Sequence, residues 1–249
     1  MTTTPALQPG SERAVPEPTA LISVRGLTVR YGARTALDAL DLDLHAGQIV
    51  GLLGENGCGK STLLKTLAGV YADHRGDVRI AGHPLGPRTK AVVSYLPDRS
   101  ALPERARVRY CLDLFADFYP DFDRARAQTL LARFRLDPAL RLKEMSKGMR
   151  EKAHIALAMS RRARVYLLDE PISGVDPAAR EGILGGILDT LDPDSLLVVA
   201  THLVHDLETS LDSVVMMRHG RVLLAGDVDD LRAEHGGSLE QIFRKVYGS

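Results

Sequence analysis

The sequence lacks several features that mark particular classes of protein. It has only two cysteines, Cys58 and Cys111, which is too few for a disulfide framework and suits a reducing compartment. Its 32 basic residues are balanced by 32 acidic ones, so it has no basic excess of the kind that nucleic-acid binders carry. No apolar run approaches the roughly 20 residues that a membrane-spanning helix needs. We therefore expect a cytosolic protein that does not bind nucleic acid.

The order of apolar patterns predicts an α/β fold with a helical insertion. Residues 1–20 have four prolines within the first eighteen positions and are predicted to form a disordered tail. From Leu21 onward, alternating or wholly apolar runs predict strands, and residues 61–70 switch to helical spacing. Apolar residues at helical spacing also predict helices within residues 100–163, approximately, and 227–249. The predicted strands lie within residues 21–32, 36–47, 48–54, 76–82, 91–97, 164–171, 195–202 and 213–226.

A glycine-rich loop separates a predicted buried strand from a predicted helix. It fits the phosphate-binding pattern G-x-x-x-x-G-K-[ST], and both flanks suit that pattern. Glycines let successive backbone N–H groups point at phosphate, and a helix N-terminus adds partial positive charge. We expect Lys60 to reach the β- and γ-phosphates and the Ser61 hydroxyl to bind Mg²⁺. The loop residues predicted to bind the nucleotide are Gly54, Glu55, Asn56, Gly57, Cys58, Gly59, Lys60, Ser61 and Thr62.

A second motif places two carboxylates at the end of another buried strand. Four apolar residues, Val165 to Leu168, are followed by Asp169 and Glu170. An Asp-Glu pair alone is more often a solvated strand end, but together with the glycine-rich loop it indicates a Walker B motif. Asp169 is then expected to support Mg²⁺, and Glu170 to polarise an attacking water.

The ordered motifs over residues 21–235 resemble the nucleotide-binding subunit of a bacterial ABC transporter. Tyr31 matches the aromatic position that stacks on adenine in this family, and His202 matches the switch histidine that contacts the γ-phosphate. Met145–Met149 stands at the signature motif, 23 residues before Asp169 counted from Ser146, and Ser173–Asp176 resembles the D-loop. The resemblance implies a P-loop NTPase with an ABC-type ATPase core, an antiparallel β subdomain and an inserted α-helical subdomain. Residues 236–249 would be a C-terminal helical extension.

The resemblance also assigns further residues to the site. Ser146, Lys147, Gly148 and Asp176 would contact nucleotide across a dimer, although Lys147 departs from the usual glycine. That lysine could place a positive charge near the γ-phosphate or face solvent, and the sequence leaves both open. Asp98 stands where the family usually has glutamine, and its carboxylate would serve Mg²⁺ directly or through water. The implied metal ligands are therefore Ser61, Asp98 and Asp169.

The function implied by the resemblance is ATP hydrolysis coupled to transport, with ATP and Mg²⁺ as cofactors. Two copies would pair head to tail as a homodimer, in which Glu170, His202 and Lys60 act in catalysis. A separate permease would dock near the Asp98 loop and the helical insertion, which places the subunit at the cytoplasmic face of the cell membrane. The acidic residue at position 98 and the lysine in the signature incline the interpretation toward export.

Two other classes of function stay open from the sequence. One is a non-transport ATPase of the same superfamily that acts on nucleic acid or ribosomes, although no coiled coil or second cassette is visible. The other is a nucleotide-sensing module that does not hydrolyse ATP. In each case Cys58 is expected to contribute its backbone N–H, while its thiol is a potential target of alkylation rather than a catalyst.

Overall fold

The computed structural model describes residues 20–100 and 102–248, so the predicted N-terminal tail lies outside the described residues except for its last position. The strands are β1 (Ile22–Tyr31), β2 (Arg34–Leu44), β3 (Ile49–Leu53), β4 (Arg75–Ile80), β5 (His83–Pro84), β6 (Val93–Leu96), β7 (Val165–Asp169), β8 (Leu196–Thr201), β9 (Ser213–Arg218) and β10 (Arg221–Asp227). The α-helices are α1 (Lys60–Leu67), α2 (Pro87–Val92), α3 (Val108–Phe118), α4 (Arg124–Arg133), α5 (Lys147–Met159), α6 (Pro177–Leu188), α7 (Val204–Leu207), α8 (Val228–His235) and α9 (Leu239–Gly248). Short 3₁₀ turns span Leu142–Glu144 and Glu208–Ser210.

A six-stranded sheet in the order β10-β9-β3-β8-β7-β6 positions the site. Its strands run parallel except β10, which pairs antiparallel with β9. Leu53 at the end of β3 pairs with Thr201 of β8, while Asp169 at the end of β7 pairs with Ala200. The segments that follow these three strands therefore leave the same edge of the sheet side by side. Ligands of parallel α/β sheets bind at this carboxyl edge.

A separate antiparallel sheet, in the order β2-β1-β4-β5, covers one face of the parallel sheet. Alternate residues of the parallel strands point to different cores. Val50, Leu52 and Val198 pack with β1, β2 and α1, whereas Leu53 and Val199 pack with the helices on the opposite face. The parallel sheet is thus buried on both faces, which explains why its strands are almost wholly apolar.

The helices between β6 and β7 are fastened to the sheet by a buried arginine. The side chain of Arg161 is 4% exposed and forms a two-armed ion pair with Asp121, with both N–O distances 3.0 Å. It also donates to the carbonyl oxygens of Ala91 at 2.8 Å and Val93 at 2.5 Å. The guanidinium carbon lies 4.1 Å from the ring centre of Tyr119. One side chain therefore joins the segment after α3 to the start of β6.

The predicted fold class is confirmed, and one predicted strand begins later than expected. Residues 91 and 92 end α2, and β6 starts at Val93. Pro87 opens this short helix, and the Thr89 hydroxyl accepts a hydrogen bond from the Gly86 N–H at 3.0 Å. That cap favours a helical turn over an early strand start. The domain boundaries proposed from the sequence, including those at residues 235 and 236, remain predictions.

Candidate active site

The glycine-rich loop joins β3 to α1 in a conformation that only small residues allow. Gly59, the residue before α1, has φ +119°, and a Cβ there would lie 2.8 Å from the carbonyl oxygen of Ala36. The Lys60 ammonium donates to the carbonyl oxygens of Gly54 at 2.6 Å and Glu55 at 3.2 Å. Lys60 thus folds back over the first residues of its own loop, inside the ring of backbone that a phosphate would enter.

The loop forms one wall of a cleft of about 700 Å³ at the carboxyl edge of the parallel sheet. The cleft brings together residues from β1, the loop, the Asp98 segment, and the ends of β7 and β8. The predicted site residues that line it are Tyr31, Asn56, Gly57, Gly59, Lys60, Ser61, Thr62, Asp98, Glu170 and His202. Its dimensions and its wall of backbone amides suit a nucleoside triphosphate.

An aromatic pair stands at the mouth of the cleft. Tyr31 is 44% exposed, and its ring centre lies 4.9 Å from that of Tyr71. The Tyr71 hydroxyl donates to the carbonyl oxygen of Arg30 at 3.0 Å, which fixes the second ring against the first at an interplanar angle of 56°. A supported and exposed aromatic face of this kind can stack on a nucleobase. Tyr71 was not predicted from the sequence.

Asp169 provides a carboxylate suited to a cation beside the loop. The Ser61 hydroxyl donates to its Oδ1 at 3.0 Å, while the buried Oδ2 has no hydrogen-bond partner among the described residues. Burial raises the pKa of the Asp169 carboxyl, and the negative charges of Asp98 and Glu170 act in the same direction. Within residues 20–100 and 102–248, no three His, Cys, Asp or Glu side chains form a ready-made metal site. Mg²⁺ is commonly held by one or two carboxylates together with substrate phosphates and water, so Ser61 and Asp169 fit it.

Glu170 and His202 form a hydrogen-bonded pair at the edge of the cleft, where the adjacent strands β7 and β8 end. Nδ1 of His202 lies 3.0 and 3.1 Å from the two carboxylate oxygens of Glu170, and the Thr201 hydroxyl donates to Oε2 at 3.2 Å. The backbone of Glu170 has φ +53°, which is unusual for a residue with a side chain, and its N–H bonds the carbonyl oxygen of Ala200. Backbone strain of this kind clusters at functional sites. Glu170 is 13% exposed and His202 45% exposed, so both can meet a ligand.

The four site residues predicted from the signature motif and the D-loop do not line the cleft of their own chain. Ser146 caps α5 by accepting from the Met149 N–H at 3.2 Å, and Gly148 lies in the first turn of that helix. Asp176 caps α6 by accepting from the Ala179 N–H at 3.1 Å. The Lys147 side chain crosses Gly174, where a Cβ would lie 2.7 Å from the lysine Nζ. Lys147 therefore contacts the segment before α6.

The remaining loop residues form the back of the loop instead of the cleft wall. Glu55 offers its carbonyl oxygen to Lys60. Cys58 is 6% exposed, and its Sγ would lie 2.6 Å from a Cβ on Gly54, which explains the glycine at position 54. Burial raises the pKa of the Cys58 thiol. These contacts argue against the alkylation expected from the sequence, because alkylation needs an accessible thiolate.

We expect N-ethylmaleimide to modify Cys58 in the folded chain at least about tenfold more slowly than in the unfolded chain at pH 7. The raised pKa keeps the thiol protonated at neutral pH, so the rate should increase as the pH rises toward that pKa. Peptide mapping by mass spectrometry would follow Cys58 and the other buried cysteine, Cys111, separately. Equal rates for Cys58 in folded and unfolded protein would contradict the burial argument.

The cleft also contains Arg34 and Ala36, which the sequence did not assign to the site, and Ser173, the first residue of the predicted D-loop. Arg34 pairs with Tyr31 across the β1–β2 turn and donates to the carbonyl oxygen of Gly57 at 3.4 Å. Its position next to the predicted adenine-stacking residue is the signal that could have identified it. Thr201, which holds Glu170, directly precedes the predicted histidine.

Comparisons with known proteins agree with this geometry. A family model described as ABC transporter matches residues 37–173. The chain is 32% identical over 234 residues to the daunorubicin resistance ATP-binding protein DrrA3 of Streptomyces coeruleorubidus, covering 90% of this chain and 74% of that protein. It is 27% identical to Nod factor export ATP-binding protein I of Rhizobium sp. (strain N33), covering 87% and 74%. A solved structure of the ATP-binding subunit of an ABC transporter matches with a TM-score of 0.82 and 30% identity, covering 91% of this chain and 99% of that one.

Proposed function

The chain belongs to the ABC transporter family, whose ATP-binding domain hydrolyses ATP, and we propose that it powers a separate membrane permease as one half of a head-to-tail dimer. The observation that carries the proposal is that the predicted nucleotide-binding residues lie in two separate places on the chain. One cleft collects Tyr31, the loop, Glu170 and His202, while Ser146 and its helix end lie elsewhere on the chain.

We assign nucleotide binding to the cleft residues by their chemistry. Tyr31, supported by Tyr71, would stack on adenine, and the amides of residues 57–62 would bind the phosphates. Lys60 would exchange its contacts with Gly54 and Glu55 for phosphate oxygens, which accept more strongly because they are charged. The loop is therefore preformed, and Lys60 changes partner when phosphate enters.

We assign the metal ligands to Ser61 and Asp169, with Asp98 as a more distant carboxylate. The unpartnered Oδ2 of Asp169 is the atom that a cation would satisfy. Asp98 is exposed at the cleft and raises the pKa of Asp169, so the two carboxylates share one electrostatic environment. When bound with ATP, Mg²⁺ would offset the negative charge of the phosphates.

We assign the water-activating role to Glu170. Its carboxylate is held in place by Thr201 and His202, so it faces the cleft at the end of β7 without needing to reorganise. A positioned carboxylate can accept the proton of an attacking water. His202 is the more exposed partner, and its ring can turn from Glu170 toward the γ-phosphate when ATP occupies the cleft.

The second half of each site would come from another copy of the chain. Ser146 and Gly148 lie at the N-terminus of α5, where backbone N–H groups and the helix dipole favour an anion. Placed over the cleft of a partner, this helix end would contact the γ-phosphate from the side opposite to Lys60. Hydrolysis would remove that shared phosphate and let the two copies separate.

The permease would be a separate protein that contacts the helical insertion. No helix within the described residues is long and apolar enough to cross a membrane. Helix α3 leaves Tyr110 and Phe118 exposed at 54% and 72%, while its Phe115 lines an apolar cavity of about 170 Å³ together with Pro97, next to Asp98. Exposed apolar side chains beside such a cavity mark an interaction surface.

This surface lies beside the cleft, so a permease docked there would place the chain at the cytoplasmic face of the membrane. The relative named Nod factor export ATP-binding protein I supports export as the direction. The relatives described above do not favour the non-transport alternative, and family membership removes the non-hydrolysing one.

Replacing Phe118 with glutamate should weaken association with the permease by at least about tenfold and abolish stimulation of ATPase activity by that permease. The reason is that a buried aromatic anchor contributes roughly 2 kcal/mol or more to an interface. The chain would be purified from solubilised membranes of cells that co-express the candidate permease. Val70, which is 65% exposed outside the insertion, gives the matched control Val70→Glu. If Phe118→Glu forms as much complex with the permease as the unaltered chain does, the proposal is wrong. It is also wrong if the unaltered chain purifies with no membrane protein.

A further inference from the structure

The C-terminal helix α9 is anchored so that its last turn reaches the back of the glycine-rich loop. Leu239 and Ile242 are buried in the core that contains α5 and β9. The Leu239 N–H donates to the carboxylate of Glu208 at 2.8 Å. The same carboxylate is paired with Arg232 of α8. Glu208 belongs to the turn that follows α7, so the start of α9 is tied to the segment that carries His202.

The hydroxyl of Tyr247, near the end of α9, lies between the loop and the sheet. It donates to the carbonyl oxygen of Met217 in β9, and the Glu55 N–H faces it as a donor. A Cβ on Gly54 would lie 2.9 Å from this hydroxyl and 2.6 Å from the Met217 oxygen. Burial raises the pKa of Tyr247 to about 12, so the hydroxyl keeps its proton at neutral pH and donates.

Neighbouring side chains pack against the ring of Tyr247 and thereby fix the orientation of its hydroxyl. Phe243 stacks on it with ring centres 4.2 Å apart, and the guanidinium carbon of Arg218 lies 6.0 Å from its ring centre. A hydroxyl on a packed ring loses little conformational freedom when it forms a hydrogen bond. The geometry is therefore that of a fixed support beneath the loop.

We infer that Tyr247 is a positioning residue for ATP binding, whose hydroxyl holds Gly54 and Glu55 in the conformation that receives phosphate. The Lys60 ammonium donates hydrogen bonds to the carbonyl oxygens of the same two residues from the cleft side. When Lys60 turns to phosphate, those contacts are lost, and Tyr247 remains to hold the start of the loop against β9. This inference rests on the proposed role of the Gly54–Thr62 loop in ATP binding.

The test compares Tyr247→Phe with Tyr166→Phe in the full chain. Tyr166 is a matched control because its buried hydroxyl also donates to a backbone carbonyl oxygen, that of Arg161 at 2.5 Å, away from the loop. We expect Tyr247→Phe to raise the dissociation constant of a fluorescent ATP analogue roughly threefold to tenfold, the effect of one lost hydrogen bond. Amide hydrogen exchange of residues 49–62 should become faster in the nucleotide-free variant. Tyr166→Phe should lower stability but change neither measurement.

The outcomes separate this inference from the proposed function. If Tyr247→Phe binds the analogue within about twofold of the unaltered chain and exchange in the loop is unchanged, the positioning role is wrong while ATP binding stands. If both tyrosine variants weaken binding equally, the effect is general destabilisation, and the positioning role is again wrong. Failure of the unaltered chain to bind the analogue would instead remove the proposed role of the loop.

Discussion

Replacing Glu170 with glutamine should lower ATP turnover by roughly 10²- to 10⁴-fold, which is the contribution of a positioned general base. Glutamine has nearly the same shape, so its amide oxygen can still accept the hydrogen bond from Thr201, but it cannot take a proton from water. ATP should therefore bind and remain intact. Single-turnover measurements with radiolabelled ATP would separate this loss of chemistry from any loss of binding.

The same variant should trap the dimer, because the shared γ-phosphate is no longer removed. Light scattering in ATP and Mg²⁺ should then show two chains per particle, and one chain without nucleotide. Adding Ser146→Arg to Glu170→Gln should prevent this pairing, since a large side chain would replace the small cap at the N-terminus of α5. Dimers that persist in this double variant would contradict the head-to-tail arrangement.

Glu234→Gln is the control for Glu170→Gln. Glu234 is 73% exposed on α8, so losing its charge should leave turnover within about twofold. Turnover of Glu170→Gln within tenfold of the unaltered chain would show that another group activates water. Glycine would be a less informative replacement, because without a Cβ it would also relieve the backbone strain at the positive φ of position 170.

The parts of the fold that the sequence predicted are those with local causes. The wholly apolar β3, the glycine-rich loop and the helical spacing of α1 are adjacent in the chain, so one stretch specifies the strand, the turn and the helix. Asp169 was predicted from the apolar run that it ends, and His202, which directly follows β8, from its match to the switch histidine of the family. Helix α2 was missed because its cap at Gly86 and Thr89 is short, and because the apolar run that begins with Ala91 and Val92 in the helix continues into β6, interrupted only by Ser94.

The parts of the site that the sequence did not predict depend on contacts between distant segments. Tyr71 supports Tyr31 from 40 residues away, and Tyr247 reaches Gly54 across nearly the whole chain. Neither tyrosine stands in a motif. The amphipathic pattern of the terminal helix predicts that one of its faces is buried, but not which part of the chain that face contacts. Only the fold shows that the last turn of α9 meets the phosphate-binding loop.

Arg161 is another contact of this long-range kind, and its removal should have the largest effect on stability. Its guanidinium joins the carboxylate of Asp121 to the carbonyl oxygens of Ala91 and Val93, with only 4% of the side chain exposed. A truncated side chain would leave the Asp121 charge and two carbonyl oxygens without their donors. Breaking a buried ion pair on one side typically costs about 3 to 5 kcal/mol. Since Asp121 is 25% exposed and can regain water, we expect the lower end, about 3 kcal/mol, for Arg161→Ala.

The neighbouring Arg162 provides a closely matched comparison, because it pairs with Asp123 at 2.7 Å but is 60% exposed. Arg162→Ala should lower the free energy of unfolding by no more than about 1 kcal/mol, as is usual for exposed ion pairs. Urea unfolding of both variants would measure the difference, and Arg161→Lys should recover only part of the loss because an ammonium cannot reproduce the two-armed contact. Equal and small effects of the two alanine variants would mean that the packing of α3, α4 and α5, rather than Arg161, joins the helical insertion to the sheet. A large effect confined to Arg161 would mean that this one buried contact makes the main contribution to holding the insertion against β6.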